Sequence, residues 1–230
     1  MPTVDLDCHG DANWTLRIRS KLAQLPNKNL KERLEWSPDD DVGKLELIVA
    51  SKIAMLRLVT NRVNLELKEL VQELNERADA IARCIEHPSV LPLRDPTAVW
   101  RLMVDVDSFI LQSRSTYEIV GKFLKAFFAR VFEKPIDERD IRKAAEDRGV
   151  DWAWAEILSK ARKEFFHNLA PAGIAITLDR VNPLSNADVL VRVEGEADFH
   201  FRDCRAIYDG LSRALVAIDQ WIYDEATKLD

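Results

Sequence analysis

Residues 37–88 read SPDDDVGKLELIVASKIAMLRLVTNRVNLELKELVQELNERADAIARCIEHP, and the reading of this run decides the fold. It opens with the marks of a helix start. Ser37 offers a capping hydroxyl, Pro38 fits the first helical position, and Asp39 and Asp40 place carboxylates at the positive end of the helix dipole. No further proline interrupts the run before Pro88. Leu45, Ile48, Met55, Val59, Val63, Leu67, Leu70, Leu74, Ala78, Ile81 and Ile85 fall at three- and four-residue steps, the spacing of one buried helical face. Such a helix would run ~65–70 Å at ~1.5 Å per residue. That exceeds the width of a small bundle, so it either breaks near Thr60–Asn64 or protrudes to meet a second chain. Glu66, Glu69, Glu73 and Glu76 lie at helical spacing beside Lys68 and Arg77, the pattern of a solvated face rather than of metal ligands.

Downstream, Pro88, Pro92 and Pro96 punctuate a connection, and Asp95 is placed to cap a second helix from Thr97 to about Glu133. Its apolar positions include Trp100, Met103, Val104, Phe109, Ile110, Tyr117, Val120, Phe123, Leu124, Phe127, Phe128 and Val131, a core stripe. Lys134-Pro135 closes it. Asp137-Glu138 starts a third segment, split at Gly149, with Trp152 or Trp154, Leu158, Ala161 and Phe165 inward. Pro171-Ala172-Gly173 stops that segment. Ile174, Ile176 and Leu178 alternate with polar residues, as do Val189, Val191 and Val193, around the turn-forming Asn182–Asn186. That is the signal of a β-hairpin at about 174–194. A last helix is expected from His200 or Asp203 to Lys228. Upstream, Trp14, Leu16 and Ile18 alternate with Thr15, Arg17 and Arg19, which predicts a short strand within an N-terminal arm at 1–36. The expected fold is mainly α: an antiparallel bundle of about four long helices over 37–230, with a small β-hairpin inserted before the last helix.

The composition of the 230 residues, 47% hydrophobic and 31% charged, is that of a globular chain. A net charge of -6 excludes a surface that is cationic throughout, so any nucleic-acid contact is a local basic patch. Cys8, Cys84 and Cys204 are odd in number and far apart, which points to reduced thiols rather than disulfides. The acidic start lacks the pattern of a signal peptide, and no window has the roughly 18 continuous apolar residues of a membrane span. These features predict a cytoplasmic protein with no membrane partner.

The chemistry-bearing stretch is KARKEFFHNLAP, Lys160 to Pro171. It joins a guanidinium (Arg162), an imidazole (His167), two ammonium groups (Lys160, Lys163), an amide (Asn168) and a proline-terminated helix end. Glu164 and His167 also share the Glu-x-x-His spacing of di-iron bundles, but His9, His87 and His200 follow Leu6, Cys84 and Ala197 at that spacing, so no second motif exists. No metal and no cofactor is expected. Five residues advance an α-helix by about 500°, setting Arg162 and His167 about 140° apart. With Leu158, Ala161 and Phe165 facing a core, His167 would look outward, where the helix dipole favours its charged form.

The Arg162 to His167 sequence resembles the Arg-x4-6-His signature of the HEPN superfamily, and the order of elements over roughly 95–227 is similar to that family's helical bundle. The resemblance implies metal-independent cleavage of RNA by a toxin or antiviral-defence ribonuclease. His167 would act as general base or acid at the ribose 2′-hydroxyl, and Arg162 would hold the scissile phosphate. Lys160, Lys163 and Asn168 would contact the RNA backbone. It also implies a homodimer with two motifs facing each other, and an antitoxin or other partner protein. Lys163 stands where active members often carry Asn, Asp or His, which favours the alternative of a non-catalytic dimerisation or ligand-binding module.

Overall fold

The computed structural model describes residues 13–77, 94–95, 97–167, 173–177, 188–192 and 199–229, and they are mainly helical. Helices α1 (Trp14–Ala23), α2 (Lys28–Arg33), α3 (Asp41–Glu76), α4 (Thr97–Val131), α5 (Glu138–Glu146) and α6 (Ala153–His167) come first. Strands β1 (Gly173–Thr177), β2 (Asp188–Arg192) and β3 (Phe199–His200) follow, and then α7 (Phe201–Thr227). Among the described residues no helix is long and apolar enough to cross a membrane. The chain forms two units. A core unit takes Leu6–Arg57, Gln112–Leu158 and Ala206–Asp230; a motif unit takes Met1–Asp5, Leu58–Leu111 and Ser159–Arg205.

In the core unit, α3 begins later than the expected start at Pro38. Residues 37–40 form a turn in which the Ser37 N–H donates to Asp40 Oδ2 (3.0 Å) and the Asp39 N–H to Ser37 Oγ (3.2 Å). The Lys44 N–H then bonds Asp40 O at 2.8 Å, so the acidic residue, not the serine, stands at the helix entrance. The turn lies directly on the helix. A Cβ on Gly43 would come 2.0 Å from Ser37 O, so only glycine fits.

The buried seam of α3 is offset from the expected one up to Thr60 and meets it at Val63 and Leu70. Val42, Glu46, Val49, Ile53, Leu56, Thr60 and Val63 are buried at three- and four-residue steps, with Leu70 two turns further on, whereas Ile48 and Met55 are 43% and 48% exposed. Glu46 and Thr60 are polar members of this seam, so the apolar residues alone trace a neighbouring face in this half of the helix. Glu46 is held where it is buried through one oxygen: Oε2 accepts from Trp36 Nε1 (3.0 Å) and Arg19 Nη1 (3.2 Å), while Oε1 is buried with no hydrogen-bond partner.

The stretch expected as a strand is helix α1. Trp14, Ile18 and Leu22 are each 1% exposed at a spacing of four, while Leu16 is 42% exposed. Period four, not period two, satisfies the core. Residues 14–34 are therefore structural. They bury Trp14, Ile18, Leu22, Leu30 and Leu34 in one cluster with Val49, Phe123, Phe127, Phe128, Ile222 and others. Trp14 meets Phe123 edge-on at 6.3 Å, and Phe128 stacks on Trp221 at 4.3 Å. Burying each such ring contributes roughly 1.5–3 kcal/mol.

Asp137 caps α5 through a reciprocal capping box with Asp140, and Gly149, at φ 79°, turns the chain after it. The split of the third segment at Gly149 is thus a left-handed residue that only glycine adopts at low cost.

In the motif unit, α3 and α4 run antiparallel. Arg62 meets Asp105 at 2.5 Å, Arg101 meets Glu66 at 3.1 Å, and Arg94 meets Glu76 at 2.6 Å. Leu102, Met103, Val106, Phe109 and Ile110 are buried here. Trp100 and Val104, expected in the core stripe of α4, are instead 65% and 59% exposed. A 35-residue helix with apolar groups on more than one face cannot turn all of them toward a single core.

β1 and β2 pair antiparallel with Gly173 opposite Arg192 and Thr177 opposite Asp188, and β2 pairs on with β3. The insertion before α7 is a three-stranded sheet rather than the two-stranded hairpin expected at 174–194, and β3 takes His200 out of the helix. The expected turn at Asn182–Asn186 lies outside the described residues, as does the predicted helical stretch at 78–87.

Candidate functional site

Helix α6 carries the Arg-x4-His sequence. Asp151 begins it by accepting the Ala153 N–H at 2.9 Å. Trp154, Leu158 and Ala161 are buried at four- and three-residue steps, which fixes the rotation of the helix about its axis. The backbone remains helical through His167, so Arg162, Lys163 and His167 occupy its last turns. Lys160 is exposed on the preceding turn. The side chains of Arg162, Lys163 and His167, and all of Asn168, lie outside the described residues. The structure therefore places the motif on one continuous helix end, and no contact between its members is described.

A second feature lies in the core unit. Tyr117, Trp152 and Trp154 pack together with ring centroids 5.2–6.2 Å apart, Tyr117 and Trp154 at a right angle of 90°. They wall a cavity of about 200 Å³ whose floor is apolar, with Ile141, Leu211, Leu215 and Ile218 all buried. Lys122 and Lys125 stand exposed on its lining, and Arg114 lies over the Tyr117 ring at 5.4 Å while bonding Glu118 at 2.7 Å. The Tyr117 hydroxyl donates to Glu138. Burial, reinforced by that carboxylate, pushes the phenol well above its usual range and keeps it protonated.

Two details of the cavity are unusual. Trp154 is 4% exposed and its indole N–H has no hydrogen-bond partner. Gly121 lines the cavity in the middle of α4, and a Cβ there would meet nothing within 4 Å. An unneeded mid-helix glycine costs about 1 kcal/mol relative to alanine, so helix stability does not explain its presence. Gly210 on α7 is the opposite case: its Cβ would fall 2.2 Å from Trp154 Cγ, so the absence of a side chain seats the indole.

The sequence pattern puts Trp152 or Trp154 in the inward stripe; both are buried, and the pattern does not reveal the cavity they line. The legible signals were Gly121 inside an otherwise strong helix and the paired tryptophans two residues apart at the start of α6. A second cavity, lined by Lys134, Arg148, Glu225 and Lys228 among others, is largely ion-paired. Lys134 and Lys228 bond Glu225 at 2.9 and 2.5 Å, and Arg148 bonds Asp224. Cys204 is buried, which pushes its thiol far above the usual range and leaves it inert. Comparison with known proteins gives no matching family model, no matching curated protein and no matching solved structure.

Proposed function

We propose that the chain is a HEPN-like antiparallel helical bundle that acts on RNA in the cytoplasm as a metal-independent endoribonuclease of the toxin or defence kind. The observation that carries this reading is the unbroken helix α6, which runs from its buried Trp154–Leu158–Ala161 face to His167 and so sets Arg162 and His167 on one helix end. In this reading His167 takes the proton of a ribose 2′-hydroxyl. The oxygen attacks the adjacent phosphorus, the P–O5′ bond breaks, and a protonated imidazole returns a proton to the leaving oxygen. Arg162 neutralises the charge that gathers on the phosphoryl oxygens. Lys160, Lys163 and Asn168 hold the flanking backbone. Because Arg162 and His167 are separated by about 140° on an ideal helix, the complete site draws one group from each of two copies, which makes the homodimer the working form.

Incubation with an unstructured RNA in EDTA tests the proposal. The parent protein is expected to leave 2′,3′-cyclic phosphate and 5′-hydroxyl ends, and His167→Ala and Arg162→Ala to lose at least ~10²-fold in rate. Cleavage unaffected by His167→Ala, or dependent on a divalent ion, refutes it. A second reading, a non-catalytic dimerisation or ligand-binding module that meets a partner protein, is favoured by Lys163 beside Arg162 and by the net charge of -6. A dimer in solution with RNA left intact selects that reading.

A further inference from the structure

Three features of the core-unit cavity point to an occupant. The first is the unpartnered indole N–H of Trp154, a donor buried to 4% exposure in the wall. A buried donor without an acceptor is costly, and a ligand oxygen would satisfy it. The second is Gly121, which keeps a stretch of the helix α4 lining free of any side chain although nothing in the protein would collide with one. The third is the charge of the lining. Arg114 is matched by Glu118 and Glu138 is held by Tyr117, while Lys122 has no ion-pair partner among the described residues.

We propose that this cavity binds a small aromatic carboxylate, its ring against the apolar floor and the indoles, a ring oxygen accepting from Trp154, and its carboxylate at Lys122. Size fits this class: about 200 Å³ exceeds the roughly 150 Å³ of an apolar cavity that takes up benzene. Organic cations fit less well. The aromatic faces are turned on one another at 5.2–6.2 Å, leaving no room for an ammonium between them, and Arg114 already covers Tyr117. A nucleobase fits less well too, because its polar edges would meet a floor of Ile141, Leu211, Leu215 and Ile218 that offers no partner.

Isothermal titration calorimetry with 4-hydroxyphenylacetate tests this, using the full chain. Saturable binding with a Kd below about 1 mM is expected. Trp154→Phe, which keeps the ring and removes the N–H, is expected to weaken it about five- to tenfold. Gly121→Leu, which fills the opening, is expected to abolish it; a melting temperature at or above that of the parent shows the variant folded, and Gly121→Met is the substitute if it does not fold. Tyramine, the cationic counterpart, and adenosine monophosphate serve as the other arms. Tighter binding of either, no heat with the carboxylate at millimolar concentration, or full binding by folded Gly121→Leu overturns the assignment.

Discussion

Gly210 of α7 and Trp154 of α6 approach so closely that a methyl group on the glycine would overlap the indole, 2.2 Å from Cγ and 2.4 Å from Cβ. The backbone of one helix is thus the seat of the other's largest side chain. Gly210→Ala adds one carbon where none fits. It is expected to destabilise the protein by about 1–3 kcal/mol through overpacking, even though alanine is the better helix former. Gly121→Ala, in open space, is expected to raise stability by about 0.5–1 kcal/mol. Urea unfolding of the two variants checks the pair, and equal shifts would contradict the close approach.

Glu46 makes a comparable case for a polar group. Its Oε2 accepts from both Trp36 and Arg19 inside the core unit. Glu46→Ala is expected to cost about 1.5–3 kcal/mol, the range for a buried hydrogen bond to a charged group, with little change in the slope against denaturant. A loss under about 0.5 kcal/mol would show that the carboxylate is tolerated rather than required.

Two carboxylates of the motif unit should respond to pH with opposite signs. Asp95 accepts from the Thr97 hydroxyl and N–H and pairs with Arg101, which hold its carboxyl at about 2. Its contribution is present above the unfolded value of roughly 3.9 and is lost as the pH falls toward about 2. Asp105 is 1% exposed, and burial pushes its carboxyl up despite Arg62 at 2.5 Å. Its folded form holds a proton that the unfolded chain has released, so stability declines as the pH rises from roughly 4 through the raised value. Asp105→Asn is expected to flatten that decline, and Asp95→Asn to remove part of the acid loss. Unfolding midpoints between about pH 2 and 7 measure both, and a steeper rise in stability with pH for Asp95→Asn would contradict the scheme.

Most helices were legible in the sequence because their apolar spacing, caps and prolines agree. The Gly149 break, the Asp137 start and the α7 face of Ile207, Leu211, Leu215 and Ile218 all stand where periodicity put them. The failures share one cause. At Trp14–Arg19 a period of two and a period of four both fit the apolar residues, and only the core they enter decides between them. In α3 the seam passes through Glu46 and Thr60, so hydrophobicity alone could not trace it. The Arg162 and His167 pair was visible as residue types, and the helix beneath them was predictable. The cavity was not, because it is made by segments distant in sequence, with Gly121 on its lining and Gly210 seating one of its tryptophans, and the meaning of each glycine depends on what lies opposite.

The burial of α1 and α2 bears on how this protein can be shortened. A chain begun at Ser37 would leave the edges of Phe123 and Phe127, now covered by Trp14 and Trp36, facing water together with Val49. Such a truncation would yield not a smaller soluble protein but a sticky one, prone to self-association before it could be assayed.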